Sequence, residues 1–407
     1  MKHSALLRVL AFALACAAPF AVAPLQASAA DTGPIKIGVP IPLSGAFGVY
    51  GEQMKQATEL AVGEINQSGG VLGRQLQPIY ADEESEVQPA IDKVKQLIQS
   101  DNVDVLIGII SSASRDAVIP TVFRGKKVFI YPTTYEGGTA AKFSGKGSKY
   151  VFTTGPVSEQ YIKPFIPWLI KNRGKSFYLL GMDYIYGTGS VANAKQYIAE
   201  AGGTVVGEEF VPLGTTDFAP ILNRVIAAKP EVLFAVIAGD DLIYLLKQFK
   251  EFGLKQKGIA FATSELDESY MTGIGAEAVD GVTCSLPYFM GIDTPENKKF
   301  IANMRAKFGK DLLVSLAAES MYYSLYLFKA GAERAGSVET DALIKGLEGA
   351  EFQAPEGKVS IRAEDHQIIV NDAICEVKAN TSLPPEKWIN IVERHEVIAP
   401  SLQGKAE

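Results

Sequence analysis

From Ile35 onward the chain alternates short runs of β-branched and apolar residues with segments whose apolar residues recur at helical spacing. Few architectures accommodate that rhythm. Strands separated by helix-length crossovers pair in parallel, so the pattern specifies an α/β protein built on parallel sheets. Ile35–Ile41 reads as the first strand, and Met54, Ala57, Leu60, Ala61 and Ile65 form a helical face that Gly69-Gly70 ends. Leu76–Tyr80 is the second strand, and Val87, Ala90, Ile91, Val94, Leu97 and Ile98 share one face of the next helix. Val103–Ile110 has the unbroken apolarity of a central strand covered on both faces, and Val128–Tyr131 makes a fourth.

Around Phe152 to Pro156 the rhythm restarts. Phe177–Gly181, Thr204–Phe210, Val232–Ile237 and Ile259–Ala262 read as strands separated by three helices, one of which starts near Asp240 and buries Leu242, Leu245, Leu246, Phe249 and Phe252. After a strand at Val282–Leu286, helices are expected over Glu296–Phe308, Ser315–Ala335 and Thr340–Leu347, then strands at Gly357–Ile361 and Gln367–Val377. No Gly-, Pro- or Ser-rich linker divides the two similar units. They read as lobes joined by several short crossings, which suits a chain of 407 residues.

The first 30 residues have a different composition. Lys2 and Arg8 precede the apolar stretch Val9–Ala23, and Ala27-Ser28-Ala29 supplies small residues for a peptidase. Residues 1–30 therefore read as a secretory signal peptide, cleaved after Ala29 or Ala30. A membrane anchor would need about 20 continuous apolar residues, and Pro19 and Pro24 interrupt this run. Lipidation of Cys16 is a further option, but Ala13 stands where such motifs usually carry Leu. The mature chain is expected in an exported, oxidising compartment, the periplasm of a Gram-negative cell. Cys284 and Cys375 could pair there or remain two buried thiols.

Lys plus Arg is 39 against Asp plus Glu 46, and this acidic balance argues against nucleic acid or an anionic membrane as partner. With His366 and His395 the only histidines after the leader, both read as surface residues, a zinc site or His-based catalysis has almost no material. No metal or cofactor is expected. Ser111, Ser112 and Ser114 lack a Gly-x-Ser-x-Gly elbow, and Gly187-Thr188-Gly189 and Thr272–Gly275 lack the rest of a nucleotide fingerprint and read as turns. Glu83-Glu84 and Asp240-Asp241 read as helix starts. Binding is expected, not an enzyme.

Ligands of open α/β sheets bind beyond the carboxyl ends of the strands. In the first unit those loops are Pro42–Gly51, with Phe47 and Tyr50; Ser111–Arg115, with Ser111 and Ser112; and Tyr131–Gly138, with Thr133 and Tyr135. Ser112 would sit at a helix N-terminus, which attracts a carboxylate or carbonyl oxygen, or it is a plain helix cap. In the second unit the loops are Met182–Gly187 and Thr263–Glu268. Tyr184 and Tyr186 could close over a small ligand, and Glu265 could accept hydrogen bonds from an ammonium or an amide, or be a solvated loop acid.

These residues resemble the type I periplasmic binding proteins of branched-chain amino acid, amide and urea transport. The likeness spans the mature chain. It is carried by Ser44-Gly45 through Gly69–Arg74, Gly108–Pro120, Tyr131–Gly137, Asp183–Tyr186 and Pro287–Phe289 running into Ile292–Pro295. The strings YPTTYEG, DYIY, TSE and APEG look closer to the amide- and urea-binding branch, whereas Ile110 and Gly187-Thr188-Gly189 depart from it. The resemblance implies two Rossmann-like lobes, a three-crossing hinge and a ligand cleft between the lobes. It places 34–150 plus 285–350 in an N-terminal lobe and 151–284 plus 351–400 in a C-terminal lobe. It implies Ser112, Thr133 and Tyr135 on one half of the site, with Tyr184, Tyr186 and Glu265 on the other.

The expected function is a solute receptor that binds a short amide, urea or an amino acid and delivers it to the membrane permease subunits of an ABC importer. A ligand-sensing regulator of the same fold is a second reading, against which the leader counts. A hydrolase using the Ser111–Ser114 cluster is a third, and it lacks a general base.

Overall fold

A computed structural model gives the structure of residues 33–406; the expected signal peptide lies outside the described residues. The first half runs β1 (Ile35–Ile41), α1 (Gly48–Gln67), β2 (Leu76–Asp82), α2 (Val87–Gln99), β3 (Val105–Ile107), α3 (Ser112–Gly125), β4 (Val128–Tyr131), a short α4 (Thr139–Lys142) and β5 (Val151–Thr153). These five strands form one parallel sheet in the order β2-β1-β3-β4-β5. The run at Phe152, read as reopening the rhythm, closes this first sheet instead.

The chain continues through α5 (Ser158–Asn172), β6 (Ser176–Met182), α6 (Ile185–Glu200), β7 (Thr204–Val211), α7 (Ala219–Ala228), β8 (Val232–Val236), α8 (Asp240–Glu251) and β9 (Ala260–Thr263). Two short helices, α9 (Met271–Ile274) and α10 (Ala276–Val279), precede β10 (Thr283–Leu286). The parallel order β7-β6-β8-β9-β10 repeats the order of the first sheet. In both sheets the strand order reverses beside the strand that starts the unit, and that reversal opens a crevice for a ligand.

Next come α11 (Pro295–Phe308), α12 (Leu316–Ala335) and α13 (Thr340–Leu347). α12 lies along α1 and α13, and α13 touches β4, so this segment covers the first sheet. The last strands, β11 (Glu351–Ala354), β12 (Gly357–Ile361), β13 (Ile368–Val377) and β14 (Ile389–Ile398), then extend the second sheet by antiparallel pairing. The apolar core runs without a break through residues of both sheets, from Ile35 and Val105 to Leu233 and Leu286.

One expectation changes where the chain passes between sheets, and of the two states open to the cysteines the thiols are found. His366, read as a surface residue, is 1% exposed; its ring stacks on Phe152 at 3.9 Å and its Nδ1 lies 3.2 Å from the Val151 carbonyl. Burial lowers its pKa, so it packs here as a flat, neutral ring at the end of the first sheet. Cys284 and Cys375 face each other in the β10–β13 register as free, fully buried thiols. Among the described residues no helix is long and apolar enough to cross a membrane.

Candidate functional site

The strand ends aim the loops of both sheets at one cavity, about 650 Å³ with its mouth included. From the first sheet come Phe47 and Tyr50 after β1, Ile110 and Ser112 after β3, and Pro132 to Thr134 after β4. From the second come Tyr184 and Tyr186 after β6, Ala238 after β8, and Ser264, Glu265 and Asp267 after β9. Leu286 and the first turn of α12, with Leu316, Ala317 and Ser320, complete the wall. No lysine or arginine is among these residues.

The turn after β3 is forced. β3 ends at Ile107, short of the expected Ile110, as the backbone turns at Ile109, and only glycine fits at 108, where a Cβ would stand 2.3 Å from the Pro40 carbonyl oxygen. Ile109 follows with φ +69, a costly conformation for a β-branched residue, and donates its N–H to Pro40 at 2.6 Å. Three bonds fix this turn. The Ile110 N–H donates to Glu83 Oε1 at 3.1 Å, and the Ile110 carbonyl accepts from Tyr131 Oη and the Ile109 carbonyl from Thr133 Oγ1, both at 2.9 Å. Glu83, read as a helix-start acid, is instead fully buried, and desolvation pushes its carboxyl up to about 8.

The turn sets up α3, and here the two serines separate. Ser111 is the N-cap: its hydroxyl accepts from the Ser114 N–H at 3.0 Å and does not line the cavity. Ser112 does line it, but its hydroxyl donates to Glu136 Oε2 at 2.7 Å. Glu136 Oε1 pairs with the fully buried Arg115 at 2.7 Å. Ser112 and Thr133 thus spend their protons on the protein and can meet a ligand only as acceptors, the Ser112 oxygen already accepting from Arg115 at 3.4 Å. Of the first N–H groups of α3, that of Ser114 is capped by the Ser111 hydroxyl and that of Arg115 donates to the Ser111 carbonyl at 2.9 Å; those of Ser112 and Ala113 remain as donors, since helix geometry gives them no intrahelical acceptor.

Tyr135 is corrected too. It is fully buried, donates its hydroxyl to Gln367, and lies 4.9 Å beneath the Arg115 guanidinium. An isolated bridge to Val157 turns this part of the loop into the core, so Tyr135 supports the site from behind. Phe47, Tyr50, Ser112, Thr133, Tyr184, Tyr186 and Glu265 are brought together as expected.

On the facing wall a hydroxyl chain holds Glu265. Tyr161 Oη lies 3.1 Å from Tyr186 Oη, which in turn donates to Glu265, and Ser264 Oγ adds a bond at 3.2 Å. Burial raises the Glu265 carboxyl to about 7 against these donors, with a smaller push from the charge of Asp267. The cavity therefore presents a titratable acid on one side and a helix N-terminus with hydroxyls on the other. Phe47, packed 6.4 Å from Tyr184, and Leu316 are among its apolar walls. Sequence reasoning missed the α12 turn and gave Asp267 no role.

The chain is 27% identical over 381 residues to a Leu/Ile/Val-binding protein homologue of Brucella melitensis, covering 92% of this chain and 95% of that one. An ABC transporter substrate-binding protein from Sphaerobacter thermophilus superposes with TM-score 0.80 at 28% identity, over 92% of this chain and all of that one. A solute-binding protein of an ABC transporter from Rhodopseudomonas palustris, in complex with p-hydroxybenzoic acid, gives TM-score 0.81 at 25% identity over 90% and 98%. Residues 34–382 match the periplasmic binding protein family, and the chain is a member of it.

Proposed function

We propose that the protein is an exported receptor whose lobes, about 34–150 with 285–350 and 151–284 with 351–400, close on a small polar solute. It would hand that solute to the permease subunits of an ABC importer. The observation that carries the ligand class is the pairing of Glu265 with the N-terminus of α3 across a cavity lined by no basic side chain. An α-amino acid with an apolar side chain satisfies that pairing. Its ammonium would sit at Glu265, its carboxylate at the α3 N–H groups, and its side chain against Phe47, Ile110 and Leu316. Short amides and urea use the same groups without net charge, and Ser112 and Thr133, as acceptors, suit their N–H atoms.

A second reading, an aromatic acid, is favoured by the Tyr50 and Tyr184 rings and by the raised pKa of Glu265, which in its neutral form donates a hydrogen bond. Thermal unfolding of the mature, ligand-stripped protein separates these. A ligand present at 100 times its dissociation constant adds about 2.7 kcal/mol of stability. We expect leucine, isoleucine or valine to raise the midpoint and Glu265→Gln to cut the gain to about 0.4–1.4 kcal/mol at the same concentration. A rise with benzoate or 4-hydroxybenzoate that survives Glu265→Gln establishes the second reading. A rise with urea or short amides alone identifies an amide receptor. No rise with any compound refutes the assignment of this cavity.

A further inference from the structure

We propose that Asp267 and Tyr50 form a clasp that holds the two lobes together directly, through protein–protein hydrogen bonds that use no ligand atom. The idea rests on the cavity lying between two lobes that move, but it concerns the empty receptor. Asp267, in the loop after β9, is 3% exposed. It borders the cavity, yet both its oxygens are engaged by protein groups. Oδ1 accepts from the N–H of Ser269 at 2.9 Å and from its hydroxyl. Oδ2 accepts at 3.0 Å from the N–H of Leu316, the first residue of α12.

That helix belongs to the other side. α12 packs along α1, and the segment before it is tied there by Gln53, which accepts from Ser315 N–H at 2.8 Å and donates to the Leu313 carbonyl at 3.2 Å. A second-lobe carboxylate thus sits at the N-terminus of a first-lobe helix, where unpaired N–H groups and the dipole favour negative charge. Tyr50 makes the reciprocal contact. Its hydroxyl, carried by α1, accepts from the Gly239 N–H after β8 at 3.2 Å, and its ring meets Tyr270 edge-on at 6.3 Å. Both residues act by positioning: they bring the loop bearing Glu265 against the α12 turn bearing Ser320.

Losing one such bond changes the closed-to-open ratio by about 2- to 10-fold. The test uses the ligand-free mature protein with spin labels at Lys95→Cys in α2 and Gln196→Cys in α6, since Cys284 and Cys375 are fully buried. The pulsed-EPR distance distribution should contain a short, closed component that shrinks in D267N and in Y50F. Y50F keeps the ring and leaves Gly239 N–H its other acceptor, Tyr270 Oη at 2.9 Å, so it remains informative where D267N fails to fold. A wild-type distribution with only the long distance, or a short component of equal size in wild type and Y50F, overturns the clasp. A wrong solute class would leave these distances untouched.

Discussion

Glu265 and Glu83 show what burial does to a carboxyl, one in the cavity and one behind it. In the empty receptor Glu265 titrates near 7, whereas a bound ammonium favours its charged form. Below neutrality an amino-acid ligand must therefore displace a proton, and affinity should rise with pH from about 5 to 7 and then level. Calorimetry in two buffers of different ionisation enthalpy should show one proton released per ligand at pH 6 and almost none at pH 8. At pH 8, Glu265→Gln should weaken such a ligand by about 10- to 100-fold, the worth of a charge-assisted bond. Glu83 carries the same sign into stability. Its folded-state value of about 8 lies above that of an unfolded Glu, so the stability it contributes is complete at low pH and is lost as pH rises toward 8. Glu83→Gln keeps the acceptor for Ile110 N–H but cannot ionise. Its thermal midpoint relative to wild type should therefore climb between pH 5 and pH 9, and parallel curves would show Glu83 to be ionised throughout.

At the scale of elements, α6 approaches the loop after β4 closely at Glu136. A Cβ on Gly189 would stand 2.6 Å from the Cβ of Glu136, whose carbonyl also accepts from Asn193 at 2.8 Å and whose carboxylate holds Ser112. Gly189→Ala overpacks a lobe–lobe contact and leaves each lobe's own core intact, at a cost of about 1–3 kcal/mol on closure. We expect ligand affinity to fall about 5- to 100-fold while the ligand-free midpoint moves little; a large drop in that midpoint would place the clash in folding instead. The glycines at 187 and 189, read as turns, lie in α6. Elements whose pattern comes from burial were legible: α13 and β12, buried on one side, and β4, apolar and buried throughout, fall on their expected ranges. β14 was not, because Glu393, Arg394, His395 and Glu396 break any alternation and only pairing with β13 makes it a strand. Site residues on loops that follow strands were legible for the same reason the cleft exists. The α12 turn was not, because its place in the wall depends on the chain returning to the first sheet some 200 residues after Ser112.

For the molecule as a whole, two repeats of one strand order suggest two independent units, and the sequence rhythm reads the same way. The packing is more unified than that. The main core is continuous through both sheets, α11 to α13 come from after the second unit but cover the first, and the segment after β12 packs back on β5 through Thr153 and His366. Opening one lobe therefore exposes apolar surface on the other, and that coupling favours a single transition over two. The two tryptophans provide a local probe. Trp168 lies in α5 against the outer cluster of the second sheet, and Trp388 precedes β14, so tryptophan fluorescence reports the second lobe while far-UV circular dichroism reports both. In urea the ligand-free wild type should give coincident midpoints by the two signals. Fluorescence that changes at a denaturant concentration distinct from circular dichroism would mean that the shared core is too thin to couple the lobes. The clasp at Asp267 and Tyr50, with the Asn193–Glu136 and Tyr135–Gln367 bonds, would then tie the lobes beyond the chain crossings.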